Sequence, residues 1–515
     1  MSGYTGEIRI FAFGFVPSDF MICDGSALDK QVYRNLYQVV GDVYANSNTT
    51  REKFSIPDLR DRFVKQSGTD IKLGEMKGSD ELVLSKDQMP EHDHNVQLEV
   101  DNGNGGDESV IKPKNAFLNN NARNFSREAS KDVFLGGINQ NVVGESRPVS
   151  IKNSQTQMVF AIYIGADFIN EGFIGEIKIW PNDKTGSGNG SIPSGWKICD
   201  GATYAIGANS PLGSIIGFLY GEEDGKPKLP DLRNRIAAGA EDTSKMAEVG
   251  GKTHIRIAKN QLAPHTHGVG LAVNNDSASE NSQIPNHTFI NHEAGKFSSE
   301  ITAKALLGGL SQENRGGWAD VDITNSCIGL TYIICTDGVF SPHTENSFIG
   351  EVKLYAGAQF KDDMRNSFAI CRGQNIAITQ NQSLYSLIMN HYGGNNQTFF
   401  TLPDLRKRAP TCLRNLDAIG KTSGENEIRL IAENLPPHDH HVRLAASSSG
   451  QGHLVSIPNG ILNKDAGPFS TKNSENAFLG GIAEEEFGGE PIDIRNPFLA
   501  IHYLICLNGI YPSKS

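Results

Sequence analysis

The dipeptide-spaced pair His-x-His occurs three times, at His92/His94, His265/His267 and His438/His440, and successive pairs stand 173 residues apart, from 92 to 265 and from 265 to 438. A landmark repeated at a constant step constrains the chain to a tandem arrangement. Other landmarks recur at the same or nearly the same step. Pro57-Asp58-Leu59-Arg60-x-Arg62 returns at Pro230 to Arg235 and at Pro403 to Arg408. Gly136-Gly137, Gly308-Gly309 and Gly480-Gly481 each follow a leucine, and each unit opens on a Gly-Glu-aliphatic-basic-aliphatic run, at Gly6 to Ile10, Gly175 to Ile179 and Gly350 to Leu354. This period far exceeds the roughly 20 to 50 residues of a solenoid or propeller repeat, so each unit is expected to be a domain. The expected boundaries are 1–171, 172–345 and 346–515, and a length of 515 residues suits three such domains.

Within a unit the pattern is mainly β. Glycine reaches 55 residues, and the apolar runs are brief and bounded by turn formers. One short helix per unit is predicted, at about Val32 to Val40, Pro211 to Leu219 and Ser383 to Met389, where apolar residues recur at three- and four-residue steps. The linkers near Ala166 to Gly172 and Ser341 to Ser347 are short, which suits units packed together. The units differ most in the Gly/Asn/Ser-rich stretches after each histidine pair, such as 101–106 and 446–450, and in the longer loop 183–190. Diverged loops of this kind are where recognition surfaces tend to sit.

A formal charge of −12 argues against nucleic-acid or anionic-membrane binding, which depends on a basic field. No apolar stretch is long enough to span a bilayer, and the opening MSGYTGEIRIF lacks a secretory pattern, so synthesis in the cytoplasm without membrane insertion is expected. The seven cysteines are an odd number without a metal-type C-x-x-C spacing, and are expected to be reduced and buried.

The histidines carry the sharpest chemistry. In extended chain, residues i and i+2 point to one side, so each pair offers two imidazoles together. If three units pack around an axis, His92, His94, His265, His267, His438 and His440 supply six nitrogens to one transition-metal ion. Octahedral imidazole coordination suits Fe(II), Ni(II) or Co(II), whereas structural zinc usually takes four ligands. Six protein ligands leave no open position, which makes the ion a structural pin and not a catalytic centre. A histidine-metal hydrolase or oxygenase would need a vacant site and a recurring carboxylate ligand, and neither is visible in the sequence. No carboxylate dyad, phosphate loop or nucleophile elbow is present either. The arginines of Pro-Asp-Leu-Arg-x-Arg are expected to tie strands and units together through charge-assisted hydrogen bonds.

In order, Gly-Glu-Ile-x-aliphatic, Cys-Asp-Gly, a short helix, Leu-Pro-Asp-Leu-Arg-x-Arg and Leu-Pro-x-His-x-His closely resemble the phage tail collar domain, and the order recurs three times with single-residue variations such as Ile56, Met89, Ala263 and Val352. The ending from Asn496 to Ser513 resembles the C-terminal signature of the microcystin-dependent-protein family, which carries that domain. The resemblance extends to the short tail fibres of T4-like phages, homotrimers in which one His-x-His per chain meets at the threefold axis around iron or zinc. It implies a single-chain pseudo-trimer, monomeric in isolation, serving as a structural or attachment component of a phage tail or a phage-tail-like contractile injection particle. Fibre, baseplate and cap positions all fit, with other particle proteins as partners. The alternative is recognition of a host-surface glycan or lipopolysaccharide through the diverged loops. Cys371-Arg372-Gly373 departs from the Cys-Asp-Gly of the first two units.

Overall fold

The computed structural model describes residues 4–90, 142–165, 172–184, 192–204, 211–263, 319–339, 346–357, 366–436 and 489–513. It also describes His92, His265, His267, His438 and His440, and short strand pieces within 97–140, 269–311 and 443–483. His94, the three Gly-Gly pairs, the diverged loops 101–106 and 446–450, and most of both linkers and of loop 183–190 lie outside the described residues.

Three strands per repeat build the main sheet system. Repeat 1 supplies β1 (Ile8–Phe11), β2 (Phe63–Gln66) and β3 (Gln155–Tyr163). Repeat 2 supplies β4 (Glu176–Trp180), β5 (Ile236–Gly239) and β6 (Cys327–Cys335). Repeat 3 supplies β7 (Glu351–Tyr355), β8 (Ala409–Cys412) and β9 (Phe498–Cys506). Each opening strand pairs antiparallel with the closing strand of its own repeat: Ile8 faces Ile162, Ile177 faces Ile334 and Val352 faces Ile505. Each middle strand instead pairs in parallel with a neighbour's closing strand, β2 on β6, β5 on β9 and β8 on β3. The exchange runs from repeat 1 to 2, from 2 to 3 and from 3 back to 1. The opening strands also meet one another, through Ile8 with Ile179, Ile10 with Val352 and Glu176 with Tyr355.

The largest buried cluster accordingly draws on all three repeats, with Phe11 and Phe160, Ile177 and Leu232, and Leu354 and Leu405 among its members. Where the repeat length suggested one core per unit, the middle strands carry apolar side chains into a shared one. All seven cysteines are buried and free.

Three helices, α1 (Arg34–Val40), α2 (Pro211–Ile216) and α3 (Gln382–Ile388), fall where the apolar periodicity placed them. Each buries residues four apart: Leu36 and Val40, Leu212 and Ile216, Leu384 and Ile388. Gly41 closes α1 at φ +62° and Gly217 follows α2 at φ +44°, whereas α3 closes on Met389 at φ +44°. A side chain is disfavoured there by about 1–3 kcal/mol, partly offset by the greater freedom of glycine in the unfolded chain. Met389→Gly is therefore expected to stabilise the protein by about 1 kcal/mol. An unchanged or lower melting temperature would count against strain at this cap.

Between the opening strands lies a closed ring of charge. Glu7, Arg9, Glu176, Lys178, Glu351 and Lys353 are all buried. The Lys178 ammonium donates to Glu7 at 2.7 Å, Lys353 donates to Glu176 at 2.7 Å, and Arg9 donates to Glu351 at 3.4 Å and also to Glu7. Every repeat thus neutralises a carboxylate of another. Burial alone favours neutral Glu7, but Arg9 and Lys178 outweigh it and bring its carboxyl from 4.5 down to about 2. A carboxyl depressed in the fold stabilises fully above its unfolded value and loses that contribution as pH falls through the folded one. Stability is expected to fall between about pH 4.5 and pH 2 through Glu7, and the Glu7→Gln variant should show a shallower dependence in that window. Lys178→Met, which leaves the buried Glu7 carboxylate to Arg9 alone, is expected to cost about 1.5–3 kcal/mol by denaturant midpoint. A cost below about 1 kcal/mol would mean that the ring does not hold the repeats together.

Candidate metal centre

A second ring leads to the histidines. The backbone N–H of Asn153 donates to Asn325 Oδ1 at 2.6 Å, that of Asn325 to Asn496 Oδ1 at 3.0 Å, and that of Asn496 to Asn153 Oδ1 at 2.7 Å. The side-chain amides donate onward to the carbonyls of Ile494, Ile151 and Ile323 at 2.7–2.8 Å. These three isoleucines belong to a smaller apolar cluster with Met89, Leu262, Ala263 and Leu435, again from all three repeats. Met89, Ala263 and Leu435 precede the three histidine pairs by two or three residues. The cluster therefore fixes where each histidine segment starts.

His92, His265, His267, His438 and His440 are buried. The ring nitrogens of His92, His265, His438 and His440 all lie within 4.8 Å of one another, so three repeats contribute to one group. His267 packs edge-on against His438 and His440, with ring centroids 4.6 and 4.8 Å away. The sixth sequence-predicted ligand, His94, lies outside the described residues.

The geometry fixes the proton. Nδ1 of His92, His265 and His438 lies 3.0, 2.8 and 2.9 Å from the carbonyl oxygen two residues earlier, at Pro90, Ala263 and Pro436. A carbonyl only accepts, so each Nδ1 carries the hydrogen and each neutral ring keeps its lone pair on Nε2. Those Nε2 atoms face one another, with His438 at 3.3 Å from His92 and 3.2 Å from His265. Burial, reinforced by the neighbouring histidines, lowers His265 to about 4 and His438 to about 3, so the rings stay neutral. Converging lone pairs repel unless a cation lies between them. Nitrogens held about 2.1 Å from a shared ion stand roughly 3.0 Å apart in an octahedron and roughly 3.4 Å in a tetrahedron, which brackets the two separations from His438. The donor set fits a transition metal, and the Nδ1-to-carbonyl bonds are the outer contacts such ligands use to hold tautomer and orientation. Nothing in the sequence marked those carbonyls beyond their place two residues before each histidine.

The Asp and Arg of Pro-Asp-Leu-Arg pair inside their own turn. Arg60 forks onto Asp58 at 2.9 and 3.0 Å, Arg233 onto Asp231 at 2.9 and 2.9 Å, and Arg406 onto Asp404 at 2.9 and 2.7 Å. The expected tie between units is made there by backbone, as in Asp61 N–H to Cys412 O at 2.8 Å, and by the residue between the two arginines, Asp61 accepting from Arg414 at 2.6 Å and Lys407 donating to Glu241 at 2.9 Å. The buried Glu and Lys of the opening runs are the residues whose role sequence reasoning missed.

The chain matches the phage tail collar domain over residues 6–64, 175–237 and 350–410, and so carries three tandem copies of it. No curated protein and no solved structure gives a match. The collar domain indicates a structural protein of a phage tail, of the fibre type. No helix among the described residues is long and apolar enough to cross a membrane. Each matched segment ends 28 residues before a histidine pair, from 64 to 92, 237 to 265 and 410 to 438. The match thus carries the class of protein, and the histidine geometry is an observation independent of it.

His265→Ala combined with His267→Ala removes one repeat's donors from the cluster. It is expected to lower the melting temperature far more than a double substitution of exposed residues does, and an unchanged melting temperature would count against a shared site.

Proposed function

We propose that the three repeats, 1–171, 172–345 and 346–515, form a single-chain pseudo-trimer pinned by one structural transition-metal ion, iron or zinc. The ligands are His92, His94, His265, His267, His438 and His440. The observation that carries this reading is the approach of neutral Nε2 atoms from three different repeats to 3.2 and 3.3 Å. The ion supplies the positive charge that the converging lone pairs lack, and its binding free energy adds to that of assembly. Six imidazoles leave no position for water or substrate, so the role is structural and not enzymatic.

The protein then serves as an attachment component of a phage tail or of a phage-tail-like contractile injection particle, at a fibre, baseplate or cap position. Fusion supplies in one chain what a homotrimer assembles from three. Metal content of untagged protein by inductively coupled plasma mass spectrometry tests the pin: one ion per chain is expected, and none in the six-histidine-to-alanine variant. Zero or three ions per wild-type chain would overturn it. Light scattering should report a monomer, and an obligate trimer would refute the fused arrangement. Immunogold labelling of purified particles should decorate the tail, and unlabelled particles would overturn the attachment role.

A further inference from the structure

A cavity of about 210 Å³ opens beside β5, lined by residues of repeats 2 and 3 together with Phe63, Asn153 and Ser154 of repeat 1. Strand β5 and the residue after it turn one face to it, through Ile236, Ala238 and Ala240. At the corresponding positions repeat 1 has Phe63, Lys65 and Ser67, and repeat 3 has Ala409, Thr411 and Leu413. Lys65, Thr411 and Leu413 are buried where they stand. Repeat 2 replaces these space-filling side chains with two methyl groups.

A second difference concerns the last arginine of Pro-Asp-Leu-Arg-x-Arg. Arg62 and Arg235 turn back onto their own aspartates, at 3.3 and 3.5 Å, and onto carbonyls of the same turn. Arg408 instead lines the cavity, half-buried, and forms no ion pair within 4 Å among the described residues. Its aspartate, Asp404, is forked by Arg406, as Asp58 and Asp231 are by Arg60 and Arg233, and feels Arg408 only from beyond ion-pair distance. The cavity's other cations have carboxylates at hand: Lys407 with Glu241 at 2.9 Å, Arg495 with Asp493 at 2.6 Å and Lys245 with Glu248 at 3.6 Å. One guanidinium is left over, beside an apolar wall of Phe63, Ile236, Phe498 and Ala500.

We infer that this cavity binds a small monoanion, an acidic monosaccharide, with Arg408 forked onto its carboxylate and the ring lying on the apolar wall. The volume is below the roughly 300–1,000 Å³ of pockets for drug-sized ligands, which limits the occupant to about one ring. A single unmatched guanidinium suits one carboxylate, whereas a dianionic phosphate would bring excess negative charge toward Glu241 and Glu248. Asn426 and Glu241 in the lining offer partners for hydroxyls. The site is independent of the metal reading, because it uses none of the histidines.

Calorimetric titration of the full chain with glucuronate, glucose and inorganic phosphate tests the inference. Glucuronate is expected to bind saturably at one site per chain, with glucose and phosphate at least tenfold weaker. Arg408→Ala should weaken glucuronate at least tenfold. Ala238→Leu, and the milder Ala238→Thr that introduces repeat 3's residue, should reduce binding by filling the space. Circular dichroism melts confirm that each variant used is folded. No saturable glucuronate binding, equal or tighter binding of glucose or phosphate, or affinity unchanged in folded Arg408→Ala would overturn it.

Discussion

Everything in this fold depends on the reciprocal burial of charge at the junction of the opening strands. Glu7, Glu176 and Glu351 are removed from water, and each is met by a cation from another repeat. Repeat 2 by itself would bury Glu176 without that partner, at a cost of several kcal/mol, whereas Glu7 and Glu351 also keep Arg9 and Lys353 of their own repeats. The middle strands impose the same dependence through hydrogen bonds, since each completes a neighbour's sheet. Neither constraint is satisfied by one repeat or by two. The three segments fold as a cyclic set, and the histidines, at the far end of the same asparagine-linked stack, inherit their convergence from it.

The parts legible in the sequence were those that repetition marks. A lone His-x-His reads as a solvated loop; three at one step read as a shared site, and four of the six histidines bring their donors within 4.8 Å. Helix positions were legible because four-residue apolar spacing is a local property, with Leu36 and Val40 or Leu384 and Ile388 pointing one way. The role of Gly-Glu-aliphatic-basic-aliphatic was not legible. Alternation of charged and apolar residues describes a strand with one wet face, yet both faces of Ile8–Phe11 are buried because the charges cancel across repeats. Cancellation between segments about 170 residues apart leaves no local trace. Exchange of the middle strands was hidden for the same reason, as Phe63–Gln66 carries nothing that chooses Cys327–Cys335 over Gln155–Tyr163.

Fusion also relaxes a rule that binds a homotrimer, where one substitution appears three times around the axis. Here the ring of charge keeps its signs but not its residues. Arg9 stands where the other repeats have Lys178 and Lys353, and lies over the rings of Phe20 and Phe348 at 5.5 and 5.9 Å, while Lys178 lies over Tyr4 and Trp196. Arg9 thus meets two carboxylates and two aromatic faces, while among the described contacts Lys353 meets two carboxylates and the ring of Phe173, and Lys178 one carboxylate and two rings. One such exchange is tolerable because the neighbouring glutamates still receive their charge from lysines.

How far a position has diverged follows from how many repeats share its group. Asn153, Asn325 and Asn496 each donate to and accept from the other two repeats, so altering one breaks bonds in all three, and all three are asparagine. The histidines stand under the same condition. Ala238 and Ala240 face a cavity that all three repeats line, but their methyl groups form no hydrogen bond to any of them, so a loss of volume is absorbed there without breaking the asparagine ring that borders it. Met389, which ends a helix at the surface, answers to no other repeat for its backbone conformation. Function that needs threefold agreement is therefore confined to groups whose bonds all three repeats share, and function peculiar to one face has room at positions whose side chains bond to no other repeat.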